Sequence, residues 1–134
     1  MHASEMPRGN LEVLLVPGIE RAVRHVRQWL RDLLDPDDPA LDDLLVCCSE
    51  TVTNAIRYTD SGRDGQVRIE LVTSAKHLHL SVIDDGGAKT VPHLVTGDGT
   101  AESGRGLRIV DACADEWGVK PQGKGLSVWF LFRR

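Results

Sequence analysis

Residues 66–83, QVRIELVTSAKHLHLSVI, contain two runs in which apolar and polar residues alternate. Alternation with a period of two is typical of strands that bury one face. We therefore predict strands over 66–73 and 77–83, joined by a hairpin turn at Ser74-Ala75-Lys76. Because a sheet with one apolar face needs a covering layer, the segments that flank this hairpin must supply helices.

Two segments before the hairpin have the spacing of amphipathic helices. Residues 18–34 and about 39–58 place apolar side chains three and four positions apart, which predicts two helices. Asp38 is predicted to cap the second helix, since aspartate is a preferred N-cap residue. An apolar run at 10–16 predicts a first strand, and residues 1–9 are expected to form a flexible tail.

The segments after the hairpin complete the architecture. Residues 84–103 show no periodicity, and so long a segment in a compact domain is usually functional. A helix is predicted over about 106–115, and strands at 117–119 and 126–132 flank a turn. The order of elements predicts an α+β fold, a two-layer sandwich whose mixed sheet is covered on one face by helices. Residues 10–134 are expected to form one domain.

Composition excludes several classes of function. The net charge of −4 argues against a nucleic-acid surface, and no apolar stretch has the length of a membrane span. The N-terminus lacks the apolar core of a signal peptide, so we predict a cytoplasmic protein. Cys47, Cys48 and Cys113 have no metal-binding spacing and are predicted to be small buried side chains. His77 and His79 lack further ligands nearby, so no zinc site is predicted.

The stretch GVKPQGKG, residues 118–125, resembles a phosphate-binding P-loop but departs from it twice. Gly125 stands where that motif has a hydroxyl for magnesium, and an apolar strand follows instead of a helix. P-loop chemistry is therefore rejected.

Three other features carry residues suited to nucleotide chemistry. Glu50 and Asn54 lie four residues apart, on one face of the second predicted helix. A carboxylate can accept a proton from an attacking hydroxyl, and a carboxamide oxygen suits magnesium. A solvated polar helix face is the alternative interpretation of this pair alone.

The second and third features are VIDDGG, residues 82–87, and SGRGLRIV, residues 103–110. An aspartate at a strand end can accept a hydrogen bond from an exocyclic amine such as that of adenine, and glycine lets a flat ring approach the backbone. Glycines before a helix leave backbone N–H groups free for an anion. Taken singly, the two stretches also fit an acidic turn and a glycine-rich helix start.

Together and in this order, the three features resemble the ATP-binding domain of the gyrase, Hsp90, histidine kinase and MutL (GHKL) superfamily. The subgroup is similar to the stand-alone serine kinases that act as anti-sigma factors. SETVTNAIRY, residues 49–58, resembles the asparagine box, VIDDGG the Asp-x-Gly box, and SGRGLRIVDACADEWG, residues 103–118, the second glycine box. The resemblance covers roughly residues 10–132 and implies the Bergerat-type ATP-binding fold.

The resemblance also implies residue roles. Glu50 would be the catalytic base, Asn54 would hold Mg²⁺, and Asp84 would bind the adenine amino group beside Gly86. The residues implied at the phosphates are Gly104, Arg105, Gly106 and Leu107, and Ser127 is implied near the adenine, with 87–103 as the ATP lid. The chain departs from the family where Ala88 follows Gly87, which displaces the second glycine, and in its short lid.

These parallels predict an ATP- and Mg²⁺-dependent serine/threonine kinase that regulates an anti-sigma system. Its substrate would be an anti-sigma factor antagonist protein of the STAS type, and it would also bind a sigma factor. Relatives of this subgroup commonly dimerise, so a homodimer is implied. The displaced glycine and short lid favour an alternative, a non-catalytic ATP/ADP switch that controls a protein partner. An interaction domain without nucleotide is the third hypothesis.

Overall fold

The computed structural model describes residues 9–87 and 110–134, which form five strands, two long helices and a short 3₁₀ turn. A further stretch, residues 110–113, is helical. The elements are β1 (Asn10–Pro17), α1 (Ala22–Leu33), α2 (Leu41–Tyr58), the 3₁₀ turn (Asp60–Gly62), β2 (Gln66–Thr73), β3 (His77–Ile83), β4 (Glu116–Gln122) and β5 (Gly125–Arg133). The strands of the central hairpin, β2 and β3, have the bounds that the alternation predicts.

The strands form one sheet in the order β1-β2-β3-β5-β4. All four neighbouring pairs are antiparallel, so the prediction of a mixed sheet is wrong. The reason is topological: β2–β3 and β4–β5 are hairpins, and two successive helices return the chain between β1 and β2. β4 does run in the direction of β3, but β5 lies between them. The predicted α+β sandwich with helices on one face is confirmed.

The two faces of the sheet differ in what they contact. One register row, composed of Leu14, Ile69, Val82, Val128 and Val119, faces the helices and belongs to or packs against the core. The neighbouring row, composed of Leu15, Arg68, Ile83, Ser127 and Lys120, lies on the opposite face, because successive side chains alternate across a strand. We call these the helix face and the outer face.

The helices form where the apolar spacing predicts them, but both begin later. α1 starts at Ala22 rather than at residue 18, and α2 starts at Leu41 rather than at residue 39. Asp38 caps a turn just before α2, because its carboxylate accepts the N–H of Ala40 at 2.9 Å. Its other oxygen accepts Arg134 at 2.6 Å, which joins the start of α2 to the end of the chain.

The segment between β3 and β4 is pinned at both ends to the same strand, β5. After β3, the N–H of Asp84 donates to the carbonyl of Leu126 at 3.0 Å. Before β4, the N–H of Asp115 donates to the carbonyl of Leu131 at 2.9 Å, and the Asp115 carboxylate accepts the N–H of Arg133 at 2.6 Å. The chain therefore leaves and rejoins the sheet on either side of β5.

Some predictions fall outside the described residues. They are the N-terminal tail over 1–8, the lid over 88–103, and the start of the third helix. In the described ranges, no helix combines the length and the apolar character that crossing a membrane requires.

Candidate nucleotide site

The α2 helix presents Glu50 and Asn54 one turn apart, and both side chains are half-buried. The fully buried stripe of the helix includes Leu44, Cys48 and Val52, which pack into the core. Glu50 and Asn54 lie away from that stripe, as the spacing predicts. Neither side chain has a hydrogen-bond partner within residues 9–87 and 110–134, so their oxygens are available to a ligand there.

At the end of β3, Asp84 uses one carboxylate oxygen to organise the backbone around it. Its Oδ1 accepts the N–H of Gly86 at 2.7 Å and the N–H of Leu126 at 3.2 Å. Its Oδ2 has no partner among the described residues. A carboxylate held by two backbone N–H groups keeps a fixed direction, which leaves Oδ2 as an aimed acceptor for an exocyclic amine.

Gly86 is required for a reason that the sequence does not reveal. Its φ of +86° lies in the left-handed region that favours glycine, and a Cβ there would collide with the carbonyl of Lys124 in the β4–β5 turn. Gly87 follows with a φ of +77°. The two glycines therefore serve the turn after Asp84 and its contact with the β4–β5 hairpin.

The 3₁₀ turn that follows α2 is bonded directly to the segment after β3. The N–H of Asp60 donates to the carbonyl of Gly86 at 2.7 Å, and the N–H of Asp85 donates to Ser61 Oγ at 3.0 Å. The helix that carries Glu50 and Asn54 is thereby joined to the strand end that carries Asp84. Sequence reasoning missed Asp60 and Ser61, whose only signal was a polar turn after the helix.

The chain returns from its undescribed stretch beside α2. Val110 is fully buried in the core, and the Cys113 thiol lies against that of Cys47 on α2. Burial raises the pKa of the Cys47 thiol far above its usual range and that of Cys48 to about 12, so both stay protonated. Their predicted role as buried apolar side chains is confirmed, whereas Cys113 is partly exposed.

The implied phosphate residues, Gly104, Arg105, Gly106 and Leu107, lie outside the described residues. In the sequence, Leu107 lies three residues before Val110, with which the described part of the chain resumes.

Ser127 is placed apart from the other predicted site residues. Its register partners are Ile83 and Lys120, and its side chain lies on the outer face of the sheet, away from α2. It is fully buried there, and its Oγ has no partner within the part of the chain that is described. The alternation of β5 puts Leu126 on the helix face instead, where its N–H bonds to Asp84.

The P-loop-like stretch and His79 both lie at described places in the sheet. The P-loop-like stretch forms the β4–β5 hairpin, with Gly123-Lys124 as its turn, and no helix follows it. His79 is buried on the outer face and stacks on Trp129 with 5.5 Å between ring centroids. Across the described ranges, no group of three or more histidine, cysteine or acidic side chains is placed to hold a metal ion.

The described residues form an antiparallel sheet covered on one face by helices, and the turn after α2 is bonded to the segment that follows Asp84. The family model of the histidine kinase-like ATPase domain matches residues 16–132, and the chain belongs to this family. The resemblance to GHKL domains is thereby confirmed, and membership implies ATP binding.

Individual relatives agree with this assignment. The chain is 29% identical over 102 residues to the anti-sigma F factor of Clostridium acetobutylicum, a match that covers 71% of each chain. It is 36% identical over 82 residues to an uncharacterised protein of Streptomyces coelicolor, covering 60% of this chain and 75% of that one.

A solved structure shows the same fold. It contains the RsbU and RsbW domains of Rv1364c from Mycobacterium tuberculosis, and it superposes with a TM-score of 0.68 at 21% identity. The match covers 92% of this chain but only 32% of that longer one.

Proposed function

We propose that this protein is an ATP- and Mg²⁺-dependent serine/threonine kinase that regulates an anti-sigma system by phosphorylating an anti-sigma factor antagonist. One observation carries the proposal: Glu50 and Asn54 share the helix whose following 3₁₀ turn is bonded to the segment after Asp84. One connected structure therefore holds the candidate general base, the proposed Mg²⁺ ligand and the carboxylate that would recognise the adenine. The likeness to an anti-sigma F factor supports the regulatory context.

In the proposed reaction each residue has a separate task. Asp84 Oδ2 accepts a hydrogen bond from the adenine amino group. The Asn54 carboxamide oxygen is a hard ligand suited to Mg²⁺. Mg²⁺, when bound, neutralises charge on the phosphates. Glu50 takes the proton of the substrate serine as that oxygen bonds to the γ-phosphorus and the bond to ADP breaks. Gly104, Arg105, Gly106 and Leu107 complete the proposal as phosphate-binding residues.

The protein partners of the proposal are an antagonist of the STAS type, a sigma factor and a second copy of this chain, in the cytoplasm. A feature of the edge strand supports the homodimer. Leu11, Val13 and Leu15 line the outer face of β1 and are 56%, 40% and 52% exposed. Edge strands with exposed apolar side chains are templates for association, and antiparallel β1–β1 pairing is self-complementary across a twofold axis.

A second candidate is the non-catalytic switch, which binds ATP or ADP and changes its affinity for a partner. The observation that favours it is the order Gly86-Gly87-Ala88, in which both glycines already serve the turn after Asp84. Such a switch needs only a difference in partner affinity between its nucleotide states.

Nucleotide binding and phosphotransfer to antagonist candidates separate the hypotheses. The variants are Glu50→Gln and Asn54→Ala, and Thr53→Ala on the same helix is the matched control. The kinase hypothesis predicts that Glu50→Gln binds Mg·ATP but loses transfer by about a hundredfold or more, whereas Thr53→Ala retains both. Asn54→Ala should lose the magnesium dependence of binding.

The opposite results are equally informative. Wild type that binds Mg·ATP but labels no antagonist candidate contradicts the kinase and favours the switch. Wild type that binds no nucleotide leaves the interaction domain as the remaining hypothesis.

A further inference from the structure

The contact between the 3₁₀ turn after α2 and the segment after β3 forms a compact junction, composed of Asp60, Ser61, Asp85, Gly86 and Gly87. Two hydrogen bonds cross it, from the Asp60 N–H to the Gly86 carbonyl at 2.7 Å and from the Asp85 N–H to Ser61 Oγ at 3.0 Å. The Asp60 carboxylate also lies against Gly87, where a Cβ would be 2.5 Å from Asp60 Cγ. The junction is therefore a packed contact with two bonds across it.

Ser61 is the fixed point of this junction. It is fully buried, and its own N–H donates to Thr59 Oγ1 at 3.1 Å. Its carbonyl accepts the N–H of Gly65 at 3.1 Å and approaches Gly18 so closely that a Cβ there would collide with it. Because its backbone is held from three directions, Ser61 Oγ presents an acceptor that does not move with the loop after β3.

Asp84 stands between two anchors. On one side its carboxylate and N–H bond to Leu126 of β5. On the other side, the next residue, Asp85, is held by Ser61 through its N–H and by the N–H of Gln66 through its Oδ2 at 2.7 Å. Loss of the Ser61 bond leaves the N–H of Asp85 without its acceptor and weakens one of the two anchors that aim Asp84, although the bond from Gln66 remains.

We infer that Ser61 is a positioning residue that aims Asp84 at the purine base and thereby sets the preference for adenine over bases that lack the exocyclic amine. This inference rests on the proposed function, since it requires that Asp84 meets the base of a bound nucleotide. Ser61 itself touches no part of the nucleotide and acts through Asp85 and Asp84.

The test compares affinities for ATP and ITP, whose base has a carbonyl oxygen in place of the amino group. Ser61→Ala is expected to weaken ATP binding by about tenfold, the contribution of the single hydrogen bond from the adenine amine to Asp84. ITP does not make this bond, so its affinity should stay within about twofold of wild type. The ratio of the two affinities is the readout, because a general loss of folded protein lowers both affinities equally. All measurements are made well below the unfolding temperature of each variant.

Ser74→Ala is the matched control. Ser74 Oγ also accepts a backbone N–H, that of His77 at 3.2 Å, but in the β2–β3 turn at the other end of β3. This variant should keep the wild-type ratio. Ser61→Cys retains a weaker acceptor of similar size and should give an intermediate ratio; it replaces Ser61→Ala if that variant does not fold.

Each result decides a different point. A wild type that prefers ATP, with an unchanged ratio in Ser61→Ala and Ser61→Cys, overturns the positioning role and leaves the proposed function standing. A wild type that binds ATP and ITP equally overturns the base contact of Asp84 and the inference with it. A wild type that binds neither nucleotide overturns the proposed function itself.

Discussion

Exchanging Asp84 for asparagine or alanine separates its structural work from its recognition of the base. Asparagine keeps an Oδ1 that can accept the N–H groups of Gly86 and Leu126, at 2.7 and 3.2 Å in the wild type. The amide then directs its N–H₂ group to the place of Oδ2. Alanine removes both functions.

The two variants should differ in stability. Hydrogen bonds to a charged acceptor contribute about 1.5–3 kcal/mol each, and because Asp84 is partly exposed the lower part of that range applies. Asp84→Ala, which removes both bonds, should therefore lose about 3 kcal/mol of unfolding free energy. Asp84→Asn, which keeps both bonds to a neutral acceptor, should lose about 1 kcal/mol, or about 4 °C in Tm.

The two variants should nevertheless share one defect in binding. Each loses the acceptor for the adenine amine, and asparagine adds a donor that faces the donor of the base. We expect ATP affinity to fall by more than about tenfold in both. Calorimetric titration with Mg·ATP and thermal unfolding of the same samples measure the two effects. ATP affinity within about twofold of wild type in Asp84→Asn would refute the contact between Asp84 and adenine. Equal stability of the two variants would refute the stabilising role of the two hydrogen bonds that Oδ1 accepts.

Two further predictions concern stability. Gly86→Ala must adopt a φ of +86° and collides with the carbonyl of Lys124, so its unfolding free energy in urea should fall by more than about 2 kcal/mol. Gly123→Ala is the control, because its Cβ meets nothing within 4 Å, and it should lose only about 1 kcal/mol. Equal losses in the two variants would contradict the collision. For His79, burial and the Lys120 charge lower the pKa below its ordinary value of 6.5, against the opposing charge of Glu70. The unfolded chain then binds the proton more tightly, so stability falls as the pH drops below about 6.5, and His79→Phe, which can still stack on Trp129, should flatten this fall. An unchanged slope between about pH 7 and pH 5 would show that His79 does not cause it.

The sheet and helices follow from the periodicity of apolar residues, because side-chain burial on one face dictates that pattern. The bounds of β2 and β3 emerge from alternation alone. The start of α2 does not, since Pro39 and Ala40 form a turn that Asp38 caps from two residues away. The direction of strand pairing was also beyond the sequence, because it depends on how many helices return the chain between strands.

The candidate site was partly accessible from sequence. Spacing placed Glu50 and Asn54 on one side of α2, and the strand end at Asp84 was located from the run VIDDGG. The sequence did not reveal that the Ser127 side chain lies on the outer face of the sheet, away from α2. A shift of one position along a strand moves a side chain to the other face. Ser61 was invisible because its contact with Asp85 joins residues 24 positions apart, and no local pattern records it.

The pinning of both ends of the β3–β4 segment to β5 also has a consequence for chain length. A closed loop whose ends are held by the same strand adds entropy cost only logarithmically, about 0.6 kcal/mol for each doubling of its length. Residues inserted between Gly87 and Val110 would leave both connections to β5 in place and add only this logarithmic cost, whereas a residue inserted within β5 would shift the register of both its neighbours. The sheet itself therefore sets little limit on the length of chain between Gly87 and Val110, and the proposed phosphate-binding residues, which lie in this span, set a separate limit on it.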